Sequence, residues 1–167
     1  MKVNVEKGAP MKSDLNGKYL TFRLAEEDYG IPLLQVKEII GMMPVTAVPR
    51  TPEYVKGVIN LRGKVIPVSD LRLRFGMEAI PYNDRTCIIV VDIQGVDQAT
   101  RMGVIVDAVS EVLNVREEEI EPAPSFGEHV ETRYILGMAN MDEQVKILLD
   151  IDRVFDPEDM AQLEIAA

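Results

Sequence analysis

The sequence predicts a mainly β fold made of two similar units related by a pseudo-two-fold axis, with short helices and a short C-terminal helix. An internal repeat and a succession of short strand-like segments carry this prediction. Composition bounds it: the chain has 167 residues, 47% of them apolar and 28% charged. That is the make-up of a globular protein with a core of one ordinary domain or two small ones.

Taken in order, residues 1–15 are polar and without periodicity, and read as a disordered tail. KYLTFRL (18–24) reads as a strand bounded by Gly17 and the acidic turn Glu26-Glu27-Asp28. YGIPL (29–33) follows, with Pro32 marking an edge or bulge. Residues Leu34–Ile40 read as a short helix. VKGVINL (55–61), the turn Arg62-Gly63 and KVIPVSD (64–70) form a hairpin signature. A short helix is expected over Asp70–Phe75. TCIIVVDI (86–93), RMGVIVDAV (101–109), SEVLNV (110–115), RYILGMANM (133–141) and VKILLDI (145–151) read as a second set of strands. A terminal helix would start with Asp156 as N-cap and Pro157 at the first helical position. Strands at this spacing suggest barrels or a sandwich.

The repeat keeps its order along the chain. At an offset of 80, Tyr54, Val55, Gly57, Val58 and Asn60 recur as Tyr134, Ile135, Gly137, Met138 and Asn140. The same offset pairs Asp70 with Asp150 and Phe75 with Phe155. At an offset of 73, Gly30-Ile31 matches Gly103-Val104, and Val36 to Ile39 matches Val109 to Val112. The change of offset places a longer loop in the second copy, between residues 113 and 133. Small β units are marginal alone, so the two are expected to pack together and leave a groove at their junction.

Net charge is −10, which repels nucleic acid and anionic membrane surfaces, so neither is an expected partner. Aromatics are only 5% with no Trp, too few for a base-stacking platform. Residues 18–80 carry nine Lys/Arg against seven acids, +2, whereas 81–167 carry six against nineteen, −13. Such a molecule could present two different faces to partners, although the acids also serve solubility. No run of roughly 18 apolar residues suggests a membrane span, and MKVNVEKGAPMKSD has no apolar core of the kind a signal peptide needs. One Cys and one His exclude an internal disulfide and a two-histidine metal site; neither a metal nor a cofactor is expected. Cys87 sits in an apolar strand and reads as a buried thiol, and His129 lies in an acidic loop.

The segments YLTFRLAEEDYGIPLLQVKEII (19–40), PRTPEYVKGVINLRGKVIPVSDLRLRFG (49–76), MGVIVDAVSEVLNV (102–115), IEPAPSF (120–126) and YILGMANMDEQVKILLDIDRVF (134–155) resemble the CheW family of chemotaxis coupling proteins. GVINLRGKVIPVSDL is the most specific of them. The resemblance implies one CheW-like domain over 16–155, built from two five-stranded SH3-like β-barrel subdomains over 16–82 and 83–155, followed by the helix and tail of 156–167. It implies a non-catalytic scaffold that couples the cytoplasmic tips of chemoreceptors (methyl-accepting chemotaxis proteins) to the regulatory domain of the histidine kinase CheA. Such a protein is cytoplasmic, recruited to membrane-associated receptor arrays without touching the membrane itself. Binding would be helix-in-groove on one side and barrel-to-barrel on the other.

For the receptor side the resemblance implies Val36, Glu38, Ile39, Gly57, Val58 and Arg62. Arg62 is either a solvated turn residue or a guanidinium fork for a receptor carboxylate or carbonyl. On spacing alone Val36 and Ile39, three apart, face a core; the resemblance instead places them on the groove, with Glu38 as a pairing charge. Gly57 either satisfies a backbone bend or permits close approach of a helix. For the kinase side the resemblance implies Pro124 and Phe126, an aromatic held on the inserted loop, whose plain alternative is a cap over the second unit. Other readings are a CheW-like adaptor in a different kinase-linked sensory pathway, and an aspartic-type hydrolase using Asp70 and Asp150. The second is disfavoured because neither Asp precedes Thr-Gly or Ser-Gly; a carboxylate opening a short helix is ordinarily an N-cap.

Overall fold

The computed structural model describes residues 15–94, 99–123 and 132–155. Its strands are β1 (Gly17–Leu24), β2 (Glu27–Pro32), β3 (Val36–Gly41), β4 (Val55–Leu61), β5 (Lys64–Asp70), β6 (Cys87–Gln94), β7 (Ala99–Val106), β8 (Ala108–Val115), β9 (Ile120–Glu121), β10 (Ile135–Met141) and β11 (Gln144–Leu149). Helix α1 (Leu71–Arg74) follows β5 and α2 (Ile151–Val154) follows β11. The strands form a six-stranded sheet ordered β8-β1-β2-β11-β10-β9 and a five-stranded sheet ordered β3-β6-β7-β5-β4.

The sheets do not divide the chain into 16–82 and 83–155. Each copy of the repeat gives its first hairpin to the other: β1 and β2 join β8–β11, while β6 and β7 join β3–β5. Parallel pairs join each exchanged hairpin to its host, Val68 opposite Gly103 and Leu148 opposite Gly30. These are the glycines of the 73-offset match. A Cβ on Gly30 would lie 3.2 Å from Leu148 Cδ2, and one on Gly103 would lie 3.3 Å from Val68 Cγ2. The repeat in sequence is therefore a repeat of topology, not of contiguous bodies.

Neither ladder closes by hydrogen bonds among the described residues. The open edges of the five-stranded sheet approach through a single bridge, Thr46 with Val58, and β9 pairs with β10 at the equivalent place in the other sheet. Two small cores fill the sheets, one around Tyr19, Val115, Ile120 and Leu148, the other around Ile59, Val68, Ile88 and Ile105. The largest core lies between the sheets and draws on both, including Phe22, Leu71, Ile89, Met102, Ile151 and Phe155. Burying a Leu-, Ile- or Phe-sized side chain contributes about 1.5–3 kcal/mol, so this junction is the main source of cohesion.

Three local sequence expectations change. Leu34–Ile40 is not a helix: Leu33–Gln35 is a 3-10 turn and Val36 onward is β3, paired with β6. The β-branched Val36, Ile39 and Ile40 fit a pleated edge, and a lone two-turn helix would lack the length to stabilise itself. The 101–115 region breaks at Asp107, whose N–H donates to the Arg23 carbonyl at 3.1 Å. Cys87 is half-buried at the start of β6 rather than inside the core. The expected helix from Asp156 and the residue His129 lie outside the described residues. Helix α1 forms as expected: the Asp70 carboxylate accepts from the Arg72 N–H at 2.9 Å and the Leu73 N–H at 3.4 Å, and Gly76 ends the turn at φ +78°.

Candidate adaptor surface

The β4–β5 turn sets the site. Arg62 (φ +52°) and Gly63 (φ +88°) both adopt left-handed backbone, the conformation that matches the twist of a two-residue hairpin. The Asn60 side-chain oxygen accepts from the Gly63 N–H at 2.8 Å and fixes the turn. Arg62 is thereby held out over the sheet edge, its side chain 69% exposed, and forms an ion pair with Glu38 on β3. The edges β3 and β4 are not laddered together, so this pair and the Thr46–Val58 bridge are what span them.

Around that pair the six residues expected on the receptor side separate into two groups. Arg62 and Ile39 are exposed, Ile39 to 42%, while Glu38 is half-buried; Glu38 and Ile39 are consecutive on β3, opposite Val90 and Ile89, so their side chains point to opposite faces of the edge strand. Val36 is half-buried and packs on the main core. Val58 exchanges backbone hydrogen bonds with Thr46, at 2.8 and 2.9 Å. Gly57 is buried, and its space is already taken by the chain itself. A Cβ there would meet the Thr46 carbonyl well inside contact distance, with Thr46 C at 2.7 Å and Ala47 Cα at 3.0 Å. Its φ of +142° also lies where other residues are strained. Of the two readings of Gly57, the structure supports the backbone one. Thr46 carried no signal in the sequence; only a match between Gly57 and the Ile120–Glu121 strand facing Gly137 could have suggested it.

Pro124 and Phe126 lie outside the described residues, so no geometry bears on them. The Asp pair builds no dyad. Asp70 is 3% exposed, and its oxygens accept from Arg72, Leu73 and the Tyr82 hydroxyl, the last at 2.7 Å. Asp150 opens α2, with Arg153 at 3.5 Å; burial, reinforced by the charge of Asp152, raises its carboxyl above the usual range. Among the described residues no three metal-ligating side chains come together, and no helix is long and apolar enough to cross a membrane.

A two-sheet β module whose accessible chemistry is an edge carrying an apolar residue and an ion pair belongs to the class of protein-binding modules. The comparisons refine this. The family model described as CheW-like domain matches residues 18–159. The chain is 39% identical over 151 residues to the chemotaxis protein CheW of Klebsiella aerogenes, covering 90% of this chain and 88% of that one. It is 35% identical over 136 residues to a probable chemotaxis protein CheW of Rhizobium etli, covering 81% and 85%. The crystal structure of scaffolding protein TtCheW from Thermoanaerobacter tengcongensis superposes with a TM-score of 0.73 at 38% identity, covering 84% of this chain and 93% of that chain. The chain belongs to the CheW family. It is a non-catalytic coupling adaptor of chemotaxis.

Proposed function

We propose that this chain joins the cytoplasmic tips of chemoreceptors to the regulatory domain of the histidine kinase CheA, in the cytoplasm, at membrane-associated arrays. The observation that carries the receptor side is the Glu38–Arg62 pair on an open sheet edge whose next residue, Ile39, is exposed on the other face. An open edge with a two-signed charge pair on one face and an exposed apolar residue on the other suits an amphipathic helix laid along the edge, which covers Ile39 and exchanges partners with the pair. Val36 and Val58 support that edge from below, and Gly57 sets its shape. On the kinase side, Pro124 and Phe126 are assigned to the contact because the inserted loop distinguishes one half of the molecule from the other.

Binding of the full chain to a receptor-tip fragment and to the CheA regulatory domain, each measured separately, tests both assignments. Arg62→Ala should weaken receptor-tip binding by about 1–3 kcal/mol, the range for losing a charged hydrogen-bond partner, and leave kinase binding unchanged. Phe126→Ser should do the reverse, with a loss of roughly 2 kcal/mol or more for a hot-spot aromatic. Unchanged receptor affinity in Arg62→Ala would remove the receptor assignment. Unchanged kinase affinity in Phe126→Ser would reduce the loop aromatic to a local cap.

A further inference from the structure

The Glu38–Arg62 pair depends on a break in the alternation of β3. Val36 lies opposite Val91 but Glu38 lies opposite Val90, so Lys37 is an extra residue in the edge strand. Residues directly opposite each other share a face of the sheet. Val36 therefore follows Val91 onto the core between the sheets, and Glu38 follows Val90 onto the face of the small core. In an unbroken strand, residues two apart share one face. Without the extra residue Glu38 would share the face of Val36 and turn away from Arg62. Bulges of this kind re-aim side chains beside functional sites.

The other copy of the repeat carries the same bulge. There Glu111 lies opposite Thr21 and Val109 opposite Phe22, with Ser110 as the extra residue. Its fastener is internal: the buried Thr21 hydroxyl donates to the Glu111 carbonyl at 2.9 Å and accepts from the Glu111 N–H at 3.2 Å. The first copy has Val90 where the second has Thr21, and valine offers no hydroxyl. Its bulge is held from the flanks instead. Lys37 pairs with Asp92 on β6 at 3.3 Å, and Arg101 on β7, directly opposite Asp92, pairs with the same carboxylate at 3.3 Å. On the other side of Val36, the Gln35 amide donates to the Asp152 carboxylate at 3.1 Å and to the Asp92 carbonyl at 3.4 Å. The same Asp152 oxygen accepts from the Gln94 N–H at 2.9 Å. Asp152 belongs to α2, so a helix of the second copy holds the edge strand of the first.

We propose that Asp92 and Asp152 are positioning residues of the receptor edge: by holding Lys37 and Gln35, the two neighbours of Val36, they fix the bulge that aims Glu38 at Arg62. The consequence for binding rests on the receptor reading of this edge, whereas the aim of Glu38 belongs to the free chain. The Lys37 and Arg101 side chains are 42% and 44% exposed. Ion pairs in such surroundings contribute little to folding, so their removal is felt at the site before it is felt in stability.

The test uses the full chain, with the Arg62 side-chain N–H signals read by NMR and binding measured to a receptor-tip fragment. Glu38→Ala supplies the Arg62 signal of the broken pair. Lys37→Met and Asp152→Ala should each move the Arg62 signal toward that reference and weaken tip binding by about tenfold, the order of loss when a group that orients a ligating side chain is removed. Asp152→Asn, which keeps an oxygen for Gln35 and Gln94, should restore both. Asp92→Ala should weaken tip binding in the otherwise unaltered chain and add no further loss to Glu38→Ala, where no carboxylate is left to aim. The proposal is overturned if Lys37→Met and Asp152→Ala leave the Arg62 signal of the unaltered chain in place, or if Asp92→Ala weakens binding as much without Glu38 as with it. If Glu38→Ala itself leaves tip binding unchanged, the receptor reading fails, and the Arg62 signal alone decides whether Asp92 and Asp152 position the pair.

Discussion

At the scale of single residues, glycine and turn geometry decide more than charge. Gly57 illustrates this. Its Cβ position is filled by the backbone of Thr46, and the bridge from Thr46 to Val58 is the backbone link that ties the segment after β3 to the edge strand β4. Gly57→Ala should therefore act through the fold. A strained backbone conformation costs about 1–3 kcal/mol, which in a chain of this size lowers the Tm by roughly 2–12 °C. Receptor binding should weaken in parallel, since the strand beneath the Glu38–Arg62 pair is displaced. A melting curve matching that of the unaltered protein, with receptor binding lost, would return Gly57 to the role of a groove-lining residue. Arg62 differs: most of its side chain is in solvent, and an exposed ion pair contributes only about 0–1 kcal/mol to folding. Its replacement tests binding, whereas that of Gly57 tests architecture.

At the scale of elements, the exchanged hairpins are the principal finding, and one ion pair tests them. Lys146 on β11 meets Asp28 on β2 at 2.8 Å, with side chains only 13% and 18% exposed. It fastens the foreign hairpin to its host at the parallel junction. Lys146→Ala leaves a mostly buried carboxylate, now with Arg23 at 3.3 Å as its partner, and should cost about 1–3 kcal/mol in urea unfolding. Asp28→Ala/Lys146→Ala together should cost less than the sum of the single changes; additive losses would mean that the pair does not fasten the junction. The repeat itself was legible, because Tyr54/Tyr134, Gly57/Gly137 and Asp70/Asp150 recur at fixed spacing. So were the Arg62-Gly63 turn and the Asp70 cap, each being a local preference. The exchange was not legible, since side-chain periodicity records which face a strand buries and not which neighbour it pairs with. The edge strand β3 was mistaken for a helix because Val36 and Ile39 satisfy a spacing of three as readily as β alternation with a bulge. Thr46, which completes the site, belongs to no strand and offers no pattern.

At the scale of the whole molecule, the two copies of the repeat interlock near the pseudo-two-fold. Tyr54 packs on Phe155 at 6.4 Å between centroids, and its repeat partner Tyr134 packs on Phe75 at 6.1 Å, so each copy reaches into the other. Arg74 sits between the two tyrosines, its guanidinium carbon 4.8 Å from the Tyr54 centroid and 5.4 Å from that of Tyr134. It also donates to the Val154 carbonyl at 2.8 Å and to the Tyr134 hydroxyl at 3.0 Å. One arginine thus ties both halves of the repeat and the ends of both short helices. Half-buried cation–π contacts contribute about 0.5–2 kcal/mol each, and hydrogen bonds from a charged group about 1.5–3 kcal/mol. Arg74→Ala should therefore cost roughly 2–5 kcal/mol, allowing for partial replacement by water and by Arg133, which lies 5.0 Å from the same Tyr134 ring. Because each sheet holds a hairpin from the other copy, neither can unfold alone without stripping strands from its neighbour. Urea denaturation should remain a single transition in both the unaltered chain and Arg74→Ala, with the midpoint lowered and the slope unchanged. Two separated transitions in the unaltered chain would show that the sheets are independent bodies and that Arg74 links them only loosely. An unshifted midpoint in Arg74→Ala would show that the apolar junction alone holds the two sheets together.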